Sequence, residues 1–257
     1  MIHDTAIIDS SASLHQSVKV GPYSVIGANV SIGENTVIES HCVIKGPTII
    51  GKNCHFFQFS TIGEATPDLK YNGEKTTLTI GDSNVFREGV TVHRGTIQDR
   101  SDTLIGNNNL IMAYTHIGHD CVLGNNCILI NNAALAGHVI VGDWAIIGGY
   151  TGVNQRCQIG AHSYVGTMSK VNQDIPAFIL ADGRPAKPRM LNIEGLRRRS
   201  FSEDQIKKLQ DAFKILYRKK LSLGDALLQL KKLSVNDQNV SLFVDSIESS
   251  KNGIIRS

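Results

Sequence analysis

The chain of 257 residues is 41% hydrophobic and 19% charged with a formal net charge of +3, the profile of one large folded domain or a large one with a smaller companion. No apolar run approaches the roughly 18 residues that a membrane-spanning helix needs, and residues 1–30 lack the basic-then-apolar pattern of a secretory signal. A cytoplasmic protein is expected, with no membrane span and no nucleic-acid partner.

From the start of the chain the dominant signal is a six-residue period. Every sixth residue from Ile2 through Ile62 is apolar, the register resumes at Ile80, Phe86 and Val92, and it runs again from Ile105 to Val171, for 26 positions without a polar exception. An amphipathic helix would repeat its apolar residues at three and four, so a period of six excludes it. A short strand, a corner and another short strand satisfy it. Three such sides close a triangular coil of 18 residues, and the series predicts roughly nine coils stacked to about 40 Å. The second position of the hexad is often Gly (Gly21, Gly27, Gly33) and the fourth often Asn (Asn29, Asn35, Asn53). Both residue types tolerate positive φ, so both are expected at the corners for that reason. The fifth is small or β-branched, as at Ala6, Thr36 and Ala133. The expected fold is therefore mainly β, a left-handed parallel β-helix over residues 1–176.

Two segments interrupt the register, with loops expected at 63–77 and 98–104. A regular coil has no internal need of either, and loops thrown from a rigid scaffold commonly carry function, although tolerated insertion is the plain alternative. After Val171 a proline-bearing stretch predicts a linker over 177–190. Helical periodicity follows and predicts a small C-terminal α-helical domain over 191–257. Ser202 and Gln205 form a capping box ahead of Ile206, Leu209 and Phe213, Ser222 caps a second helix, and a third is expected near Asn239–Ser250. From Arg184 onward there are 16 Lys and Arg against 8 Asp and Glu, whereas the rest of the chain has 10 against 15. A basic tail on an acidic body suits an acidic partner, or is merely a set of solvated helix faces.

The register also sorts the reactive side chains. Cys42, Cys54, Cys121, Cys127 and Cys157 all fall on the fifth, inward position, and no two are 18 residues apart. They are expected to be buried small hydrophobes, not disulfides or metal ligands. Residues 18 apart should stack on successive coils. His119 falls on an outward position with Gly137 and Gln155 above it, Asp120 lies beneath His138, and His116 is one short strand away. This brings a candidate general base, a carboxylate and a glycine N–H onto one flank. A zinc site is the rival use of three histidines.

The motifs Ile62-Gly63-Glu64, Asp68-Leu69-Lys70-Tyr71, Thr91-Val92-His93-Arg94-Gly95-Thr96, His116-Ile117-Gly118-His119-Asp120-Cys121, Leu135-Ala136-Gly137-His138-Val139 and Asn192-Ile193-Glu194-Gly195-Leu196 together resemble the acyl-[acyl-carrier-protein]–UDP-N-acetylglucosamine O-acyltransferases of lipid A biosynthesis, over essentially the whole chain. The resemblance implies a homotrimeric acyltransferase with its active sites between neighbouring subunits. It implies a 3-hydroxyacyl chain passed from acyl carrier protein, which bears the phosphopantetheine, to the 3-hydroxyl of UDP-N-acetylglucosamine, with no metal or other cofactor. His119 matches the general base, Asp120 its orienting partner and Gly137 the oxyanion donor. Asp68, Lys70, His116, His138 and Gln155 match contacts to sugar and phosphate, and Asn192, Glu194 and Arg198 or Arg199 match the uridine diphosphate end. Thr167 matches the position that limits acyl length, which is Gly in long-chain members, so a shorter chain is expected here.

The chain departs from the family pattern at Asn154, at Pro67 and over Arg184–Arg189. The same transfer onto a 3-amino sugar nucleotide is the nearest alternative activity. An acetyl-CoA-dependent sugar acetyltransferase would not need the Asn192–Leu196 motif or the basic tail. The later N-acyltransferase of the pathway carries a uridine-binding domain ahead of its hexads, whereas this register starts at Ile2. A β-helix that binds ice would present a flat Thr array, and the outward positions here are mixed.

Overall fold

The computed structural model describes residues 1–256. Short strands, mostly of two residues, pair into three sheets of nine, eight and ten strands, in parallel at every pairing but the last of the third sheet. Sheet I runs from Ile7–Ile8 to Lys170–Val171, sheet II from Ser13–Leu14 to Gln158–Ile159, and sheet III begins at Lys19–Val20. Each coil visits I, II and III in turn, which makes the left-handed parallel β-helix that the hexads predict. His116 pairs with Ala134, and Ala134 with Gly152, so neighbours are 18 residues apart as expected.

The hexad residues divide the work of the coil. First positions fill the prism, with Ile44, Phe56, Ile62, Phe86 and Ile117 fully buried. Phe56 and Phe86 stack face to face inside it, with centroids 4.7 Å apart. All five cysteines are free and buried, as their register requires. The two corner residues act by different means, which corrects the common reason expected for them. Fourth-position residues adopt the left-handed conformation, with φ of 57° at Asn29 and Asn35 and 54° at Asn53. That conformation aims the fourth N–H at an acceptor one coil below, Glu34 O for Asn53 at 2.8 Å and the Ser11 and Ser17 hydroxyls for Asn29 and Asn35. Second-position glycines serve close approach instead. A Cβ at Gly33 would lie 2.7 Å from the carbonyl carbon of Gly51 on the next coil.

Both interruptions leave the prism at the same edge, between sheets I and II. Thr61 pairs with Thr91 and Thr91 with His116, so strands 30 and 25 residues apart are neighbours where 18 is the rule. Strand pairing reaches into the expected loops at Gly63, Glu64, Thr77 and Asp102–Leu104, leaving loops over 65–76 and 94–101.

The expected linker 177–190 is instead an antiparallel hairpin, Ile179–Gly183 with Ala186–Leu191, that extends sheet III. Ile179 and Ala181 face the core, Gly183 takes the turn at φ 106°, and Pro188 is tolerated because its strand is the outer edge. The C-terminal cap then packs four helices: α1 (Ile193–Arg198), α2 (Glu203–Tyr217), α3 (Leu223–Ser234) and α4 (Gln238–Glu248). Ser202 and Gln205 form the expected capping box, and Ser222 caps α3. The short α1 was not foreseen, although Asn192 is its N-cap signal.

Candidate active site

The edge between sheets I and II carries the two loops and, on the coils beyond them, His119-Asp120, Gly137-His138 and Gln155-Arg156. A cleft of about 480 Å³ opens there. Asp68 and Lys70 reach it from the first loop, His93 and His116 from sheet I, and His119, Gly137 and Gln155 from the edge. Pro67 lines it as well, and Asn154 borders the adjoining hollow beside His116 and Gln155.

At its centre His119 Nδ1 lies 2.8 Å from Asp120 Oδ2. The Asp120 side chain is fully buried, and it also accepts from Thr96 Oγ1 at 2.6 Å and Thr96 N–H at 3.0 Å. A carboxylate so held is an acceptor of fixed direction. It accepts a hydrogen bond from Nδ1–H, which leaves Nε2 of His119 with a lone pair. The His119 ring rests over Gly137, because a Cβ built there would stand 2.5 Å from Nε2. At the edge between sheets II and III, third-position N–H groups are capped by side chains, as in Asn125 N–H to Asp143 Oδ1 at 2.8 Å. Gly137 N–H, at the corresponding position here, has no acceptor among the described residues. A base and an uncommitted donor therefore stand side by side.

His119 points outward from the coil as its register requires, yet it is only 7% exposed. The second loop reaches the buried pair through Thr96, which binds Asp120, a contact that its spacing in sequence does not announce. His138, expected as a ligand contact, does not line the cleft. Its Nδ1 is 2.9 Å from Asp99 Oδ2, and its ring packs edge-on against His119. His119, Asp120 and His138 lie close enough to share a cation. Both Nδ1 atoms also sit at hydrogen-bonding distance from carboxylates, His119 from Asp120 and His138 from Asp99.

The remaining candidates sit elsewhere on the prism. Asn192, Glu194, Arg198 and Arg199 line a second cleft of about 440 Å³ with Trp144 and Tyr164, on sheet III and the edge between sheets II and III. Neither Trp144 nor Tyr164 was singled out in sequence, though both occupy regular hexad positions. Asn192 is committed locally, donating to His162 O at 2.9 Å and capping α1. Arg199 donates to Trp144 O at 2.7 Å and stacks on that ring, which leaves Arg198 as the arginine turned to the cleft. Thr167 is exposed on the third edge, between sheets III and I. One chain therefore gathers the catalytic group but does not bring the second group or Thr167 to it.

Burial sets the charge of several imidazoles. It holds His93 down to about 4, with His116 adding to the effect, and His162 down to about 4, with Arg199 adding. The unfolded chain takes up these protons near 6.5. Between about pH 6.5 and 4 the unfolded state thus binds more protons, and stability should fall as pH is lowered through that window. Melting temperatures across the window should show the decline. His162→Phe, which keeps the stack between Trp144 and Phe178 but cannot be protonated, should make it shallower while His93 keeps its share. An identical slope in the variant would count against burial as the cause.

Comparison with known proteins places this geometry. Residues 174–255 match the family model described as UDP N-acetylglucosamine O-acyltransferase, domain 2, and residues 29–64 and 102–129 match the bacterial transferase hexapeptide model. The acyl-[acyl-carrier-protein]–UDP-N-acetylglucosamine O-acyltransferase of Stutzerimonas stutzeri is 57% identical over 256 residues, covering 100% of this chain and 99% of that one. Among solved structures, the UDP-N-acetylglucosamine O-acyltransferase of Moraxella catarrhalis is 46% identical with a TM-score of 0.97, covering 99% of each chain. That of Francisella novicida is 39% identical with a TM-score of 0.98, covering 100% of this chain and 94% of that one.

Proposed function

The chain belongs to the acyl-[acyl-carrier-protein]–UDP-N-acetylglucosamine O-acyltransferase family, and from that premise we propose how its residues carry out the reaction. The enzyme moves a 3-hydroxyacyl chain from the thioester of acyl carrier protein to the 3-hydroxyl of UDP-N-acetylglucosamine, the first step of lipid A biosynthesis. The observation that carries the mechanism is the His119 ring, held through Nδ1 by Asp120 and lying over the free N–H of Gly137.

Nε2 of His119 removes the proton of the sugar hydroxyl as its oxygen attacks the thioester carbon. The carbonyl electrons move onto oxygen, and the Gly137 N–H stabilises that charge. Asp120 stabilises the imidazolium. The intermediate collapses with cleavage of the C–S bond, and His119 returns the proton to the departing thiol. The base thus ends the cycle as it began. Lys70 and Asp68 reach over the same cleft from the first loop and suit a phosphate and a sugar hydroxyl. The chain supplies both proton transfers and the oxyanion contact itself, so the reaction as written needs no metal.

The nucleotide end would be held by Glu194, Arg198 and the Asn192 turn. These lie on sheet III and the cap, a different face from His119, so two copies must meet to complete one site. A contact of one face with a different face of the next copy is heterologous, and it closes into a ring where the rotation between copies permits. We place three chains in that ring, as the family resemblance implies. An exposed ladder of Tyr23, Phe59, Tyr114 and Tyr150 along the edge between sheets III and I offers apolar surface for such contacts. The mass in solution should be three times the 28.0 kDa chain mass. His119→Ala and Arg198→Ala chains, each nearly inactive alone, should regain acyl transfer when unfolded together and co-refolded. Recovery no greater than the sum of the two parents would mean that each site is built within one chain.

The reaction itself is tested by incubating the protein with UDP-N-acetylglucosamine and a panel of 3-hydroxyacyl carrier proteins. Acylated sugar nucleotide is the expected product. Product from the 3-amino sugar nucleotide alone would shift the acceptor. The chain length that works best shows what Thr167 admits.

A further inference from the structure

The second loop gives a partner to each half of the buried cluster. Thr96 binds Asp120, and three residues later Asp99 Oδ2 stands 2.9 Å from His138 Nδ1. We propose that Asp99 is a positioning residue for acyl transfer, holding His138 so that Asp120 stays committed to His119. The inference rests on the reading of His119 as general base and adds a residue which that reading does not use.

The argument is one of competition for a single oxygen. Asp120 Oδ2 already accepts from His119 Nδ1 at 2.8 Å, Thr96 Oγ1 at 2.6 Å and Thr96 N–H at 3.0 Å. His138 Nδ1 is only 3.9 Å from that same oxygen. Asp99 and Asp120 are the only carboxylates within 4.0 Å of His138 Nδ1 among the described residues. The His138 side chain is 7% exposed, so water cannot readily replace a lost acceptor, and an unsatisfied N–H there is costly. Without Asp99 the His138 ring would turn toward Asp120 Oδ2. Its centroid is 4.9 Å from that of His119, at an interplanar angle of 85°, so the turn would push the general base out of line.

Asp99 is well placed for the task. Ser101 N–H donates to Thr96 O at 3.0 Å and ties the loop across Asp99, while Thr96 is itself pinned to Asp120. The hydrogen bond from His138 holds the Asp99 carboxyl below its ordinary range, and Arg100 and Arg156 act in the same direction. The Asp99 side chain is 45% exposed, so truncating it opens no cavity in the prism.

The test is a double-mutant cycle on the full-length protein, with kcat and KM measured separately. Asp99→Ala should lower kcat by about 10- to 100-fold, the scale of a misplaced catalytic group, with both KM values within about twofold. Asp99→Asn keeps an acceptor oxygen and should retain most of the activity. In a His138→Gln background Asp99→Ala should cost nothing further, because its effect runs through His138. Unchanged kcat in Asp99→Ala, an effect on KM alone, additivity with His138→Gln, or Asn no better than Ala would each overturn the proposal. If the wild type transfers no acyl group, the functional reading fails and this role with it. If the wild type is active and any of those four results appears, only the role of Asp99 fails.

Discussion

His119→Ala should lose acyl transfer to UDP-N-acetylglucosamine by a factor on the order of 10² to 10⁴ in kcat/KM, the range that a positioned general base contributes. The loss should fall on kcat, because the ring acts on the proton in flight and the cleft keeps its other polar groups. The fold should survive. His119 stands outside the packed prism on a third position, and its neighbours Ile117 and Cys121 carry the core contacts. Steady-state kinetics with saturating 3-hydroxyacyl carrier protein, beside a thermal melt, separates the two effects. A variant with a normal melt and within about threefold of wild-type activity would remove His119 from the chemistry. The proton would then have to go to another group in the cleft, and His116 would be the first to examine, since Thr91 Oγ1 orients its Nδ1 at 2.8 Å.

Gly137→Ala should lower kcat by about 10²-fold for a different reason, a displaced base of the kind that one ångström of misplacement produces. The added Cβ would lie 2.5 Å from Nε2 and Cε1 of His119, so the ring must move off its line to the cleft. The substitution keeps the Gly137 N–H. Its cost therefore reports the position of the base and not the loss of the oxyanion donor. The check is the double variant. Gly137→Ala should add almost nothing to His119→Ala, since there is no longer a ring to displace. A full additional loss in the double variant would mean that Gly137 acts through the N–H or through the backbone. Gly152 offers a control, because it lies in the neighbouring strand of sheet I and a Cβ there meets nothing within 4 Å. Gly152→Ala should leave the His119 geometry untouched.

The two substitutions also show how much of the site could be read from residue spacing. Stacking at 18 predicted that His119 would meet Gly137, and the clash distance at Gly137 is that stack seen from above. It predicted that Asp120 and His138 would be neighbours, which they are at 3.9 Å. It failed on what covers them. Thr96 and Asp99 lie 24 and 39 residues from their partners, separations that are not multiples of 18, because the loop between them follows no repeat. His119 shows the same limit, since a side chain that points outward on the coil need not be exposed. The linker expected over 177–190 failed at its prolines. These mark a break in a central strand, but an edge strand accepts them.

By itself the sequence determined the period, and with it the prism, the inward cysteines, the stacked histidines and the capped helices of the C-terminal domain. A six-residue repeat converts separation along the chain into height and face, so every residue that keeps the register has its place set by counting. The tertiary structure alone decided that the second insertion folds back onto Asp120 and His138. It decided that second-position glycines answer to the backbone of the next coil instead of to their own φ. It also decided that the catalytic and nucleotide-binding groups face different sides of the prism. Those outcomes depend on contacts between segments with no common period, and such contacts form only when the coils are stacked and the chain has folded back upon them.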